Sequence, residues 1–295
     1  MISIIVTTYK EKGTLPKCLT AILTDIRNSE EFVISRETFE VLVVGPDEET
    51  ASVAQQFSLA DPRIKYIKDE HRGKPAALNL ALEQARGEIF ILTDGDVWIK
   101  DGALKKLIIP LTCPDIGAVT GHPLPINLKN NIFGYWAHFL TNAAHQMRLQ
   151  TKIFPCSGYL YAFRKNLIHH IPEDILSEDG WITQQIREQK YAIAYAPDAI
   201  VYVKYPNNFH DWLLQKNRST GGYVQRKQLR QERNIIKEIS GGIKLFFTYP
   251  KSLKEFYWTK LLYLSRLYLW LLIFWQIKIR KYSLKKIWQR IESTK

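Results

Sequence analysis

The stretch that decides the fold is EIFILTDGDVWIKDGAL, residues 88–104. Residues 89–92 form an uninterrupted apolar run, which is typical of a strand buried on both faces of a sheet. Asp94 and Asp96 follow that run, one glycine apart. Two carboxylates at the end of a buried strand lose hydration and repel each other, so a cation is expected beside them. The stretch predicts a site for a metal and a charged ligand, with a plain Asp-Gly turn as the alternative.

The rest of the first half alternates apolar runs with helical patterns. Such runs predict strands, and the segments between them predict helices with one apolar face. The predicted strands are 2–8, 40–44, 63–67 and 88–93, and the predicted helices are 14–25, 49–57 and 75–85. This alternation predicts an α/β protein whose sheet is mostly parallel and flanked by helices.

Polar and charged side chains follow each predicted strand. In parallel sheets ligands bind beyond the carboxyl ends of the strands, so these residues are expected to meet at one edge. They are Thr7, Tyr9 and Glu11 after the first strand, Asp47 after the second, Lys74 after the third, and Asp94 and Asp96 after the fourth. Carboxylates can bind a ribose, a base edge or a metal, and a cation at the start of a helix can bind phosphates. The sequence therefore predicts a nucleotide–metal site, without the GxGxxG or GxxxxGK[ST] loops of other nucleotide binders.

The second half of the chain has a less regular pattern. It predicts helices at 131–149 and 176–189, a strand at 158–164, two short strands around Pro197, and a helix that stops at Gly221-Gly222. Glu178 and Asp179 fall in the first turn of the helix at 176–189, where the helix dipole favours ionised carboxylates. A general base must be ionised, but acids are also common at helix starts for stability alone.

The positive charge is concentrated at the end of the sequence. Of the formal net charge of +12, residues 240–295 carry +10. This asymmetry predicts one domain at 1–239 and a basic, aromatic-rich tail at 240–295 that meets a polyanion, either nucleic acid or anionic lipid. The three cysteines form no CxxC pair, which favours a reducing compartment over a disulfide scaffold.

The composition of the tail favours lipid over nucleic acid. Residues 257–277 read YWTKLLYLSRLYLWLLIFWQI, and 267–277 carry no charge. Aromatic and aliphatic bulk beside a lysine-rich flank is typical of a membrane segment at the cytoplasmic face. The uncharged run is shorter than the roughly 20 residues of a spanning helix, so a peripheral interfacial helix and a single-pass helix both stay open. A helix buried against the main domain is the remaining alternative.

Together these stretches resemble the family 2 glycosyltransferases, which have the GT-A fold. The resemblance covers roughly residues 3–222 and rests on SIIVTTYKEKGTLPKCLTAIL, VLVVGPDEET, HRGKPAALNLALEQARGEIFILTDGDV and SEDGWIT. It implies a nucleotide-sugar site made of Thr7, Tyr9, Glu11, Asp47, Lys74, Asp94 and Arg218. It also implies that Asp96 binds Mg²⁺ or Mn²⁺ and that Asp179 is the general base of an inverting transfer.

Three further residues are expected on the acceptor side: Glu178, Trp181 and Gln215. Gln215 and Arg218 resemble the QxxRW element of membrane-bound polysaccharide synthases, but Ser219 stands where that element has tryptophan. This departure puts repeated transfer in doubt. A buried Trp181 and a helix-surface Arg218 are the structural alternatives.

The resulting expectation is an inverting, metal-dependent transfer from a nucleotide-diphosphate sugar, with UDP favoured by the resemblance. The acceptor would be a hydroxyl of a glycan or of a lipid-linked molecule at the cytoplasmic face of an anionic membrane, and no nucleic acid would be bound. A sugar-phosphate nucleotidyltransferase and a non-catalytic, membrane-tethered nucleotide-sugar binding protein are the alternatives. The first of these usually has a glycine-rich basic loop after the first strand, and TTYKEKGTL does not resemble one.

Overall fold

Two compact units make up the protein. The computed structural model describes residues 1–28, 39–227, 235–275 and 292–294. The first unit comprises Met1–Leu124 and Pro155–Val203, and the second comprises Pro125–Phe154 and Lys204–Thr294. A domain boundary between residues 239 and 240 stays a prediction; that point lies inside a helix of the second unit. The basic flank at 278–286 lies outside the described residues.

A mixed sheet of eight strands forms the core of the first unit, in the spatial order β3-β2-β1-β4-β7-β6-β8-β5. The strands are β1 (Ile2–Thr7), β2 (Phe39–Gly45), β3 (Ile64–Lys68), β4 (Ile89–Asp94), β5 (Trp98–Ile99), β6 (Ile116–Pro125), β7 (Leu160–Arg164) and β8 (Ala192–Val203). β1 to β4 are parallel neighbours, as the alternating pattern predicts. Every residue of β1 and β2 is buried, which explains their mainly apolar sequences; the buried Ser3 and Glu40 are hydrogen-bonded to each other at 2.7 Å.

Nine α-helices lie in the described part of the chain. They are α1 (Leu15–Asn28), α2 (Glu48–Ala60), α3 (Lys74–Gln84), α4 (Ala103–Ile108), α5 (Ile132–Gln150), α6 (Glu178–Glu188), α7 (Phe209–Lys227), α8 (Ile235–Thr248) and α9 (Leu253–Phe274). In α1 the side chains of Leu15, Leu19, Ile22 and Ile26 are buried, at the helical spacing that the sequence shows.

The direction of β7 determines what lies beside the end of β4. β7 runs antiparallel to β4, so Leu160 at its beginning pairs with Thr93 near the end of β4. The Thr93 hydroxyl also donates to the carbonyl oxygen of Tyr159 at 2.8 Å. The loop that precedes β7 is thereby held at the same edge of the sheet as the acids that follow β4.

The second unit consists of α5, α7, α8 and α9. Its core contains the buried side chains Tyr135, Trp136, Phe139, Trp212 and Leu262. The indole N–H of Trp136 donates to the carbonyl oxygen of Trp258 at 2.8 Å, and the hydroxyls of Tyr135 and Thr259 are 2.7 Å apart. α9 is therefore joined to α5 by buried polar contacts as well as by apolar packing.

Two predicted elements are wrong in extent. The two short strands predicted around Pro197 form a single strand, β8. β5 pairs only with Val201 and Tyr202, so the missing N–H of Pro197 removes no hydrogen bond to β5. The helix predicted to stop at Gly221-Gly222 continues to Lys227. Glycine lowers helix stability by about 1 kcal/mol, but unlike proline it keeps its N–H donor and does not end a helix.

Within the described residues, no helix combines the length and the apolar character that crossing a bilayer requires. α8 and α9 are confirmed as helices in the tail. Their association with a membrane stays a prediction.

Candidate active site

The carboxyl ends of β1, β2 and β4 lie side by side. Thr7 is in register with Val44 of β2 and with Asp94 of β4. The Thr7 hydroxyl donates to Oδ1 of Asp94 at 2.7 Å. The residues that follow these three strands therefore meet at one edge of the sheet, as parallel pairing requires.

Lys74 lies at this edge and contacts two of its acids. It is the first residue of α3, after Gly73 at a φ of 110° and before Pro75, so its backbone position is fixed by the helix start. Its Nζ lies 2.7 Å from Oδ1 of Asp94 and 2.8 Å from Oε1 of Glu178. Burial tends to lower the pKa of Lys74, but the two carboxylates outweigh it and hold the pKa above its ordinary value.

Asp47 is held by hydrogen bonds on both of its carboxylate oxygens. Its Oδ1 accepts from the backbone N–H of Thr50 at 2.9 Å and from the Thr50 hydroxyl at 2.6 Å, which makes it the N-cap of α2. Its Oδ2 accepts from the backbone N–H of Lys10 at 2.7 Å. Partial burial would raise the pKa of Asp47, but these hydrogen bonds outweigh it and lower the pKa. The loops after β1 and β2 are thus joined without a ligand.

Tyr9 faces a residue that the sequence analysis did not select. Its ring centroid is 4.8 Å from that of His71, with the planes tilted by 37°. Tyr66 of β3 also belongs here, because its hydroxyl donates to the carbonyl oxygen of Gly45. Burial, followed by the charge of Asp47, raises the pKa of Tyr66 to about 12. The HRGK sequence and the position of Tyr66 in a strand that ends at this edge were the available signals for both residues.

Three carboxylates lie around the end of β4. They are the carboxylates of Glu11, Asp96 and Asp94, and all three act on the buried thiol of Cys18. Burial raises the pKa of this thiol well above its ordinary value, and the three negative charges raise it further, Glu11 most and Asp94 least. A side chain added at Gly95 would place its Cβ 2.5 Å from Oε2 of Glu11, so glycine allows the close approach. Carboxylate oxygens are the ligands that Mg²⁺ prefers and that Mn²⁺ also accepts, so their chemistry fits a divalent ion. Among the described residues, however, no three Asp, Glu, His or Cys side chains form a ready-made metal cluster.

Glu178 and Asp179 point to different partners although they are neighbours in α6. Glu178 is buried and pairs with Lys74. Asp179 is half-buried, and its Oδ2 accepts from the backbone N–H of Gly158 at 3.0 Å. Its Oδ1 accepts from the Ser177 hydroxyl and from the N–H of Gly180. Gly158 lies in the loop before β7, so this bond connects α6 to the edge that holds Asp94.

The buried ring of Tyr161 supports this placement. Burial raises the pKa of its phenol, and the carboxylates of Glu178 and Asp179 raise it further. Asp94 adds a weaker effect of the same sign. Acids from both halves of the first unit therefore surround one side chain of β7.

The remaining predicted residues do not all belong to this unit. Trp181 is half-buried in the first turn of α6, where its backbone N–H donates to the Ser177 carbonyl oxygen at 3.1 Å. Gln215 is buried and Arg218 is half-buried, and both lie on α7 of the second unit. The structure brings Thr7, Lys74, Asp94 and Glu178 into direct contact, and the roles assigned to all the predicted residues stay predictions.

Comparison with known families identifies the chain. The model of the glycosyl transferase family 2 matches residues 3–171, and that of the glycosyl transferase family group 2 matches residues 89–280. The first match alone covers more than half of the chain. The protein belongs to the glycosyl transferase family 2, and the resemblance noted in its sequence is confirmed.

A curated relative is the poly-beta-1,6-N-acetyl-D-glucosamine synthase of Staphylococcus epidermidis. It is 26% identical over 233 residues, which are 75% of this chain and 54% of the relative. The chain thus spans about half the length of the synthases that it matches.

Solved structures share the fold. The mannosyltransferase PcManGT from Pyrobaculum calidifontis, in complex with GDP-Man and Mn²⁺, aligns with a TM-score of 0.59 at 21% identity, covering 88% of this chain and 72% of that one. S. aureus TarS 1–349, in complex with UDP-GlcNAc, aligns with a TM-score of 0.52 at 18% identity, covering 75% and 65%. At these identities the likeness establishes the GT-A-like fold.

Proposed function

We propose that the protein transfers a sugar from a nucleotide-diphosphate sugar, with UDP as the nucleotide, to a hydroxyl acceptor with inversion at the anomeric carbon. The observation that carries the proposal is the meeting of Lys74, Asp94 and Glu178 at the edge where β1, β2 and β4 end. Asp179 is held next to them through the loop before β7. Family membership and the UDP-GlcNAc complex of TarS support the class of donor.

On the donor side, the residues after β1 and β2 would hold the nucleoside. Thr7, Tyr9 and Glu11 would line the base pocket, and Asp47 would accept hydrogen bonds from the base or the ribose. The hydrogen bonds to Asp47 support this role, because they keep its carboxylate ionised and fixed before the donor arrives. Asp94 would bind the ribose or the sugar, and Lys74 would contact the diphosphate.

Asp96 is the proposed ligand for Mg²⁺ or Mn²⁺. The acids gathered around Cys18 support a cation at this point, and the PcManGT complex contains Mn²⁺. A divalent ion, when bound, supplies positive charge to a diphosphate leaving group. Lys74 would add a second positive charge from the protein itself.

Asp179 is the proposed general base. An acceptor hydroxyl must lose its proton as it attacks the anomeric carbon, and an ionised carboxylate at hydrogen-bond distance can take that proton. The bond from Gly158 N–H fixes one oxygen of Asp179 in the first turn of α6. Attack from the side opposite the leaving group gives inversion.

The acceptor is proposed to be a glycan or a lipid-linked molecule, used at the cytoplasmic face of a membrane. Trp181 and Glu178 of the first unit would contact it. The expectations that Gln215 contacts the acceptor and that Arg218 contacts the nucleotide sugar stay predictions about α7. The exposed apolar and basic residues of the tail support this location, as does the match to a polysaccharide synthase. The residues that contact the acceptor would determine whether one sugar is transferred or several in succession.

A donor screen tests the proposal. Purified protein with Mn²⁺ is given a panel of UDP- and GDP-sugars, and nucleotide release and donor binding by calorimetry are both measured. We expect release from a UDP-sugar, its loss with EDTA, and its loss in Asp96→Ala. Binding without any release, with every donor and a range of sugar and lipid acceptors, would instead indicate a binding protein. Release of pyrophosphate from a nucleoside triphosphate and a sugar phosphate would indicate a nucleotidyltransferase.

A further inference from the structure

Helix α9 has apolar side chains on two opposite faces. Thr259, Leu262, Leu269 and Ile273 are buried, at the spacing of one helical stripe. This stripe packs in the second unit, where Leu262 belongs to the aromatic core. The Thr259–Tyr135 hydroxyl contact and the Trp136–Trp258 hydrogen bond fix the same side of the helix to α5.

The opposite face of α9 is exposed to solvent. Leu264, Leu267 and Leu271 have exposed fractions of 52%, 57% and 61%, and their spacing of three and four residues places them in one stripe. The same stripe includes Leu253, Tyr257 and Phe274, which are also exposed. Lys260, which is also exposed, lies on the same face between Tyr257 and Leu264, so the stripe is uninterrupted only from Leu264 to Phe274. An exposed apolar stripe of this kind marks a surface that binds a partner, because isolated proteins rarely leave one in water.

The charged residues around this stripe are almost all positive. Lys251, Lys254 and Lys260 are exposed on or just before α9, and Lys244 is exposed on the neighbouring α8. Glu255 is the acid of α9, and its carboxylate already accepts from the backbone N–H of Lys251 at 2.6 Å. Two copies of this chain meeting through the stripe would bring like charges together, whereas an anionic lipid surface would pair with them.

We propose that the face of α9 defined by Leu264, Leu267 and Leu271 lies flat in the interface of an anionic bilayer. Leucines and aromatic residues would enter the boundary between headgroups and acyl chains, and the lysines would meet the lipid phosphates. α9 lies in the membrane plane because its other face is occupied by α5. This inference rests on the proposed membrane location and adds the surface that makes contact.

Vesicle flotation tests this surface without any enzyme assay. The full-length protein is mixed with vesicles of phosphatidylcholine alone or with 30% phosphatidylglycerol, about the proportion that gives a marked negative surface potential. The test variant is Leu267→Glu with Leu271→Glu. The matched control is Leu59→Glu on α2, because Leu59 is 90% exposed and lies in the first unit. Circular dichroism and thermal unfolding establish that all three proteins are folded.

We expect the parent and Leu59→Glu to float with anionic vesicles and to float less with neutral ones. The double variant should lose at least about tenfold in vesicle partitioning, since each leucine side chain transferred from water is worth roughly that much. Equal flotation of parent and double variant would overturn the proposal. So would a dimer in light scattering that only the double variant abolishes, without vesicle binding by the parent.

Calorimetry with UDP, run on the same proteins, separates this inference from the proposed function. Lost flotation with unchanged UDP binding supports the surface independently of catalysis. Failure of UDP binding in the parent would count against the donor site and leave the flotation result to be interpreted by itself.

Discussion

The ammonium group of Lys74 is ion-paired with Glu178 at 2.8 Å, and this contact joins the start of α3 to the start of α6. Asp94 pairs with the same ammonium group at 2.7 Å. One cation thus neutralises acids from β4 and from α6. Lys74 thus has two carboxylate partners before any nucleotide sugar binds, so the diphosphate of a nucleotide sugar would have to compete with them.

Replacing Lys74 should affect both stability and donor binding. Lys74→Met leaves Asp94 and Glu178 close together without a cation, and we expect a loss of about 2 kcal/mol in the free energy of unfolding. UDP affinity should fall at least about tenfold, because a charge-assisted contact is lost. Urea unfolding and calorimetry measure the two effects.

The matched control is Lys68→Met. Lys68 pairs with Glu48, but both side chains are mostly exposed, so its removal should change the free energy of unfolding by less than about 0.5 kcal/mol. Equal destabilisation by the two variants would contradict the structural importance of Lys74.

Asp179→Asn should lower turnover with little effect on folding. Asparagine retains the shape, but its single carbonyl oxygen can accept from Gly158 N–H or from Gly180 N–H and not from both, and it cannot take a proton. We expect kcat to fall by about 10²- to 10⁴-fold while the thermal midpoint changes by no more than a few degrees. Asp198→Asn, an exposed acid on β8, serves as the control and should keep its activity. Near-normal turnover by Asp179→Asn with the true substrates would remove Asp179 from the role of base.

The charge of Asp47 should contribute a pH-dependent share of stability. Its pKa is lowered in the folded protein, so the contribution is complete above the unfolded value of about 3.9 and is lost as the pH falls through the folded value. Asp47→Asn keeps an N-cap but loses the charge and the hydrogen bond from Lys10 N–H, because an amide has a single accepting oxygen. We expect the parent to exceed it by about 1 kcal/mol at pH 6, and the difference to shrink below about pH 4. Urea unfolding at several pH values measures this. A difference that grows on acidification would refute the assignment.

Gly95→Ala should disturb the acids around β4. The new Cβ would lie 2.5 Å from Oε2 of Glu11 and 2.7 Å from Cγ2 of Thr8, so one of these groups must move. We expect a loss of about 1–3 kcal/mol in stability and weaker binding of UDP with Mn²⁺. Gly13→Ala is the control, because nothing lies within 4 Å of its Cβ position, and it should be neutral or slightly stabilising. Similar effects of both substitutions would show that the crowding at Gly95 is unimportant.

The sequence was informative where elements are buried and regular. The four parallel strands are predicted to within one or two residues. β1, β2 and β4 are buried over most of their length and have mainly apolar sequences, whereas β3 alternates buried apolar residues with exposed lysines. Parallel pairing then brings Thr7 and Asp94 together without further information. β5, β6 and α4 were not predicted; β5 has two residues and α4 has six, which is too short for a clear period.

The contacts between distant segments could not be read from the sequence. Glu178 and Asp179 are adjacent acids in one helix turn, and no local pattern indicates that one pairs with Lys74 while the other accepts from Gly158. The partner of Asp179 is present because β7 pairs antiparallel with β4, which brings the loop containing Gly158 to this edge of the sheet. Tyr66 and His71 were missed for the same reason, because their partners lie in other loops.

The order of the site's residues along the chain also has a consequence for synthesis of the protein. A nascent chain that has left the ribosome only as far as β6 contains Asp94 and Lys74 but neither Gly158 nor Glu178. Translation must therefore reach the start of α6 before these four residues can meet, and products that end earlier would lack Glu178 and Asp179.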